Sequence, residues 1–168
     1  MTKEKFSPID RPAPTGWRRM VSLGVATGAG LGYSPVASGT VGTVWGIPLV
    51  WGLSGLPGLG WQVAAAIALA VLAIPFCHDA EAVFARKDDG RIVADEYLTF
   101  PLCMLGLPFS LETVILAFLT NRFFDIVKLP PARGLQRIPG GTGIVIDDVV
   151  AALYSLVANH LVYHLFLS

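Results

Sequence analysis

Five carboxylates in this chain stand where a carboxylate is hard to keep. Asp95 and Glu96 directly precede the apolar run that starts at Tyr97, Asp125 closes the far end of the next apolar run, and Asp147 and Asp148 directly precede the last one. Charges at the border of the hydrocarbon are costly and tend to be retained for function. Carboxylates gathered at one depth repel each other unless a cation lies among them, and hard oxygen donors with no histidine or cysteine pattern suit Mg²⁺. Neighbours on a helix point about 100° apart, so one acid of each pair would meet the ion while the other holds a second ligand, a water or a helix end. A plainer reading exists: acids at helix N-termini cap free N–H groups and oppose the dipole. It leaves Asp125 unexplained, at a helix C-terminus where the dipole disfavours an anion.

Cations accompany the acids. Arg122, Asp125 and Lys128 recur every third residue in NRFFDIVK, which lines them along one helical face. On an exposed face such a ladder is worth only roughly 0.2–0.5 kcal/mol; beside a metal, the same cations would hold an anionic phosphate. Arg133 and Arg137 flank the following polar segment and would meet anionic headgroups or simply mark the inner side. The segment YSPVASGTVG, with Ser38, Gly39 and Thr40, reads as a loop leading into a helix. Gly140-Gly141-Thr142-Gly143 would let a backbone approach a phosphate closely, though glycines serve as readily in an ordinary turn.

The elements that must position these groups are written in the distribution of charge. Apolar residues make up 54% of the 168 and charged residues 14%, with mean hydropathy +0.62; soluble domains carry about 25% charged residues. A soluble protein this small cannot hide so much apolar mass, so a bilayer is the expected solvent. The zero net charge gives no reason to expect nucleic acid as a partner. No Asp, Glu, Lys or Arg occurs between Arg19 and Asp79. Val41 to Leu56 and Trp61 to Phe76 predict a helical hairpin turning at Pro57, Gly58 and Gly60. Tyr97 to Leu107 and Leu111 to Leu119 predict a second, shorter hairpin turning at Pro108 to Glu112, and Val149 to Leu167 a terminal span. Trp17 to Leu31 is either an interfacial helix or a bundle helix.

Of the 24 charged residues, seven lie in 1–19, nine in 79–96, one at Glu112 and seven in 122–148. With the N-terminus inside, two hairpins return the chain inside each time, and 23 of the 24 fall on one face, including all twelve Lys and Arg. The positive-inside rule makes that face cytoplasmic. The expected architecture is therefore all-α: a single polytopic membrane bundle over residues 1–168 with short hairpins and a cytoplasmic-face active site. Residues 1–16 are expected to be a flexible segment, and no cleaved signal peptide is expected. Cys77 and Cys103 lack a partner at metal or redox spacing and read as small buried hydrophobes.

Several phosphate chemistries lack their motifs here. Six residues beyond the cysteines stand Val83 and Phe109 rather than the arginine of a cysteine phosphatase, and no Walker lysine occurs. There is no Pro-Ser-Gly-His run for a histidine nucleophile, and Asp89-Gly90-Arg91 does not continue as a CDP-alcohol phosphatidyltransferase would. Four blocks do match a known pattern: GLGYSPVASGTVGT, DDGRIVADEY, NRFFDIVKLPP and GGTGIVIDDVVA. In order and spacing the chain resembles the phosphatidylglycerophosphatase A family of bacterial membrane phosphatases, from about Trp17 to the last span.

The resemblance implies a Mg²⁺-dependent phosphomonoesterase that converts phosphatidylglycerophosphate to phosphatidylglycerol at the inner membrane. It places Ser38, Gly39 and Thr40 in the family's Pro-Gly-Thr loop with Ser38 in place of Pro, and Asp95 and Glu96 in its Asp-Glu pair. Arg122, Asp125 and Lys128 fall in its Arg-x-x-Asp-x-x-Lys, and Asp147 and Asp148 in its Asp-Asp pair; His78 and Asp88 match weaker positions. The expected metal ligands and catalytic acids are Asp95, Glu96, Asp125, Asp147 and Asp148, with Ser38, Gly39, Thr40, Arg122 and Lys128 on the substrate. Two rival classes are a small polytopic transporter, which would want its acids near mid-membrane, and an inactive relative serving as a membrane scaffold.

Overall fold

The structure is a computed structural model that describes residues 12–167; the part of the expected flexible segment in residues 1–11 lies outside the described residues. Among the described residues every regular element is helical: α1 (Gly16–Ala26), α2 (Ser38–Thr43), α3 (Gly46–Ser54), α4 (Leu59–Phe84), α5 (Ala94–Thr99), α6 (Leu111–Val127), α7 (Ala132–Leu135) and α8 (Gly141–Val162). Short 3-10 turns cover Leu31–Tyr33 and Phe100–Met104, and a π turn carries α8 on to Leu167.

α4 is the axis of the bundle, with α1, α5 and α8 packed against it, and α8 packs in turn on α6. The reason lies in its small residues. Ala66, Ala70, Ala73, Cys77 and Ala80 recur every three or four positions and are all buried, so neighbouring backbones approach closely. Larger side chains from the other elements fill the remaining space. Phe100, Leu102 and Met104 pack with Val50 and Val114 toward one end, and Ile92, Leu98, Ile144 and Val145 toward the other.

Two helices are long and apolar enough to cross a membrane, α4 and α8 with its extension. Only 17% of the most apolar window of α4 is buried within the protein. A soluble core helix would be mostly covered, whereas a helix apolar all round and left bare faces lipid. Ile67, Val71 and Leu72 of α4, Ile115, Leu119 and Phe123 of α6, and Val157 and Leu161 of α8 form the exposed belt. At the far end of α8, buried Asn159 donates from Nδ2 to the Cys103 carbonyl (2.8 Å) and accepts from Thr120 Oγ1 (2.7 Å), a satisfied polar tie within an apolar bundle.

The helix limits depart from the sequence reading in instructive ways. α2 and α3 form one bent rod, because Val44 and Trp45 between them keep right-handed helical backbone; Ser38, Gly39 and Thr40 are thus its first turn and not a loop. The descending half of the second hairpin is only α5 plus a 3-10 turn, while its ascending half, α6, runs on to Val127. α8 starts at Gly141, eight residues before the apolar run, so Asp147 and Asp148 lie in its second turn and do not cap it. Gly141, Thr142 and Gly143 belong to its first turn. α1 combines both readings of its segment: Ser22 and Ala26 are buried against the bundle, while Trp17 and Met20 are bare.

Candidate functional site

One end of the bundle gathers the charged side chains. From α5 come Asp95 and Glu96, from the C-terminal half of α6 Asn121, Arg122 and Asp125, from the residue after α6 Lys128, and from α8 Asp147 and Asp148. Glu112, in the first turn of α6, lies at the opposite end of that helix. Asp95, Asn121, Asp147 and Asp148 are each at most 5% exposed and Arg122 is 9% exposed, so these groups interact where water cannot screen them.

The five carboxylates separate into three sets. Glu96 and Asp125 both hold Arg122: its Nη1 lies 2.9 Å from Glu96 Oε2 and its Nη2 3.3 Å from Asp125 Oδ2. Glu96 also accepts from Thr43 Oγ1 at 3.0 Å. Burial pushes Glu96 up to about 7, against the pull of Arg122 and Thr43, with Asp125 adding to the rise. Asp147 accepts from Lys128 Nζ at 2.6 Å. Lys128 therefore does not continue the α6 face that its spacing predicts. It sits past the helix end in a left-handed conformation (φ 48°) that turns its amine toward α8. Burial, the largest effect, works to lower the lysine, and its hydrogen bond to Asp147 together with the charges of Asp147, Asp125 and Asp88 outweighs it and holds the amine above its ordinary value. The third set is Asp95 with its neighbour Asp148; burial, and then the neighbouring Glu96, hold Asp95 well above the usual carboxylate range.

Among the described residues no group of three or more histidine, cysteine, aspartate or glutamate side chains is placed so that it could hold a metal ion as it stands. The donor set nonetheless fits a hard cation. Asp95 Oδ1, Asp147 Oδ1, Asp148 Oδ1 and Asn121 Oδ1 are buried oxygens without a hydrogen-bond partner, and Arg122 Nε is a buried donor in the same condition, while its Nη2 has only the 3.3 Å ion pair with Asp125. Unfilled acceptors and an unfilled donor in one buried cluster call for a ligand with a cation and anionic oxygens together. A metal-bound phosphate is such a ligand.

The remaining expected residues play supporting parts here. Ser38 donates to the Gly90 carbonyl (2.5 Å), fastening α2 to the loop before α5. A Cβ on Gly39 would collide with Glu96 Oε1, so the glycine is what lets Glu96 reach its place. Thr40 is half-buried on the same turn. Two residues escaped the sequence reading of the site, and a third, Asp88, entered it only as a weak match. Asn121 adjoins the Arg122 motif, and Thr43 lies one helical turn beyond Gly39; neither type stands out in a sequence. Asp88 lies on the exposed α4–α5 loop, held by Gln136 Nε2 at 2.6 Å, and its charge reaches Asp95, Glu96 and Lys128. Its weak match to the family pattern was the available signal.

The pattern of the phosphatidylglycerophosphatase A family matches residues 24–163, which carry every side chain of this cluster. The chain belongs to the phosphatidylglycerophosphatase A family. It is 33% identical over 135 residues to phosphatidylglycerophosphatase A of Escherichia coli (strain K12), covering 78% of this chain and 77% of that protein. The Haemophilus influenzae phosphatidylglycerophosphatase A is also 33% identical, over 79% of this chain and 83% of its own length. A putative phosphatidylinositol-3-phosphatase of Bacteroides thetaiotaomicron is 33% identical over 79% of this chain and 87% of that protein. These relatives are phosphatases, and no solved structure matches the chain.

Proposed function

We propose that this member of the phosphatidylglycerophosphatase A family is a Mg²⁺-dependent phosphatase that releases phosphate from phosphatidylglycerophosphate at the cytoplasmic face of a bacterial inner membrane, acting as one multi-pass domain. The observation that carries the reading is the buried set of unpartnered oxygens on Asp95, Asp147, Asp148 and Asn121 beside the unpartnered Nε of Arg122. The E. coli and H. influenzae relatives supply the substrate class.

In this reading Asp95 and Asp148, with Asn121, hold the ion, which when bound neutralises phosphate oxygens and acidifies a water. Arg122, fixed between Glu96 and Asp125, would offer Nε to the equatorial oxygens, where a preorganised donor favours the developing charge. Lys128 keeps Asp147 ionised, and Asp147 Oδ1 accepts the proton of the attacking water. Thr40 faces the headgroup, while Ser38 and Gly39 hold the α2 turn in place. The transporter alternative is disfavoured by position, since the acids of α8 lie in its second turn and not midway along it.

The deciding assay follows phosphate release from phosphatidylglycerophosphate in proteoliposomes, with Mg²⁺ and with EDTA. Release that requires Mg²⁺ and disappears in Asp95→Asn is expected; release indifferent to EDTA would remove the metal. An inert wild type would leave the scaffold reading. The B. thetaiotaomicron relative gives reason to run phosphatidylinositol 3-phosphate in parallel. Preference for that lipid would move the substrate and keep the site.

A further inference from the structure

α2 carries a fully buried hydroxyl to which the chemistry above gives no task. Oγ1 of Thr43 lies 2.9 Å from the Gly39 carbonyl and 3.0 Å from Glu96 Oε2. The first contact is ordinary. A threonine or serine in a helix often donates to the carbonyl four residues back, and Thr27, Thr99, Thr120 and Ser155 all do so in this chain. The second contact sets Thr43 apart. Among the described residues it is the one member of this group whose hydroxyl also reaches a carboxylate.

A hydroxyl has one proton, so Thr43 cannot donate to both acceptors at once. Arg122 Nη1 lies 2.9 Å from the same Glu96 Oε2, and a hydrogen bond to a charged acceptor is about twice as strong as one between neutral groups. The proton therefore goes to Glu96, and the Gly39 carbonyl is the lesser claimant. The other oxygen, Oε1, is confined by contact: a Cβ on Gly39 would collide with it, so the α2 backbone passes directly beside it. One turn of α2, from Gly39 to Thr43, thus grips Glu96 on both oxygens. That turn is itself fastened, because Ser38 Oγ donates to the Gly90 carbonyl at 2.5 Å, in the loop that leads into α5.

The grip bears on Arg122. Its Nη1 is tied to Glu96 and its Nη2 to Asp125, and a planar guanidinium held at both ends has its third nitrogen fixed in direction. That nitrogen, Nε, is the buried donor without a partner. Asp125 shares α6 with Arg122 and cannot orient the arginine against the rest of the bundle. Glu96 comes from α5 and can do so once its own flexible side chain is anchored. We propose that Thr43 is a positioning residue for phosphate release: its hydroxyl, acting through Glu96, holds Arg122 with Nε toward the phosphate site. This rests on the phosphatase reading for the anion that Arg122 meets.

The test uses the full-length protein in proteoliposomes. Thr43→Val keeps the shape and removes the hydroxyl, Thr43→Ser keeps the hydroxyl, and Thr43→Ala replaces the valine variant if that does not fold. Thr43→Val should lower kcat for phosphatidylglycerophosphate about tenfold and leave KM within about twofold, since a misplaced donor costs most where charge develops. Thr43→Ser should restore kcat to within about threefold of wild type, because it returns the donor. In an Arg122→Lys background, Thr43→Val should cost less than about twofold more, because residues acting as a unit are not additive. Losses that multiply across the two positions, or a serine variant as slow as the valine one, mean a packing role only and overturn the proposal. A second readout needs no turnover. Mn²⁺ binding, followed by its EPR signal, should be the same in Thr43→Val and wild type, while binding of orthovanadate with Mg²⁺ present should weaken about tenfold. Weakened Mn²⁺ binding, or a vanadate affinity that the valine does not change, also overturns it. A wild type that binds vanadate in this Thr43-dependent way but releases no phosphate would sink the phosphatase reading alone. One that binds no vanadate would sink both.

Discussion

Replacing Asp148 by Asn separates two consequences of burying like charges together. Asp95 and Asp148 are both at most 5% exposed and adjacent, each with one oxygen that has no partner. Without a cation between them, that arrangement opposes folding. Asp148→Asn keeps the shape and removes one charge, so the metal-free variant should unfold at higher temperature than wild type, by the equivalent of about 1 kcal/mol or more. Its turnover should fall at least ~100-fold, as when a preorganised charged group is removed from a site. Thermal unfolding with EDTA and phosphate release with Mg²⁺ measure the two; a variant that is both destabilised and active would contradict the cation cluster. Asp89 gives the opposite sign. It is 5% exposed and receives Arg91 Nε at 2.7 Å and Nη2 at 3.1 Å, and that pairing holds it below the usual carboxylate range. A carboxyl depressed in the folded state stabilises above its unfolded value and loses that contribution as pH falls through its folded value. Asp89→Asn should therefore cost about 1 kcal/mol at neutral pH, and the gap to wild type should close in acid below the ordinary carboxylate value of 3.8. Melting curves of both proteins against pH read this directly, and a gap independent of pH would remove the ion pair from the account.

At the scale of the elements, Gly141 shows why the last span begins where it does. A Cβ there would run into the Ile74 carbonyl and lies 2.7 Å from the His78 nitrogen; both are backbone atoms of α4 and cannot step aside. The glycine thus sets how closely α8 approaches α4, and with it the depth at which Asp147 and Asp148 meet Asp95. Gly141→Ala should destabilise by about 1–3 kcal/mol and lower activity in the folded fraction, whereas Gly134→Ala, where a Cβ meets nothing, should do neither. Unfolding in detergent separates them; equal behaviour would mean the helices do not depend on this contact. The same region shows what the sequence made legible. Charge-free stretches located α4 and α8, because the cost of a charge in hydrocarbon acts on each residue independently of its neighbours. That the acids gather at one end of the bundle was legible for the same reason, but their division into three sets was not. Helix ends were not: GGTG reads as a turn by glycine content, yet packing against α4 keeps Gly141 and Gly143 helical. The partners of the acids were not legible either. Lys128 leaves the α6 face because the backbone turns left-handed there, and Asn121 enters the cluster through tertiary contacts that no spacing encodes.

For the whole molecule, charge placement and helix direction make the same claim about sidedness. α2–α3 leads from the Glu96 contact at Thr43 away to Ser54, α4 returns to Phe84, α5 and its 3-10 turn lead away again, α6 returns to Arg122 and Asp125, and α8 leaves with Asp147 and Asp148 at its start. By helix direction all Lys and Arg among the described residues lie at one end, and a cytoplasmic placement of that end is the expectation that the positive-inside rule sets. The turn at Ser54 then faces the opposite side. Single cysteines can read this, because both native thiols, Cys77 and Cys103, are buried and should stay silent toward a bulky maleimide. Ser54→Cys, exposed in the α3–α4 turn, should label in intact spheroplasts with a membrane-impermeant maleimide. Arg86→Cys, exposed beyond the end of α4, should label only after permeabilisation. Reversed labelling would place the cluster on the outer face, away from any lipid phosphate made in the cytoplasmic leaflet. Labelling of both positions from outside would mean that α4 does not cross. The two positions flank the two ends of one helix, so a single pair of measurements decides both whether α4 crosses and which side carries the charged cluster.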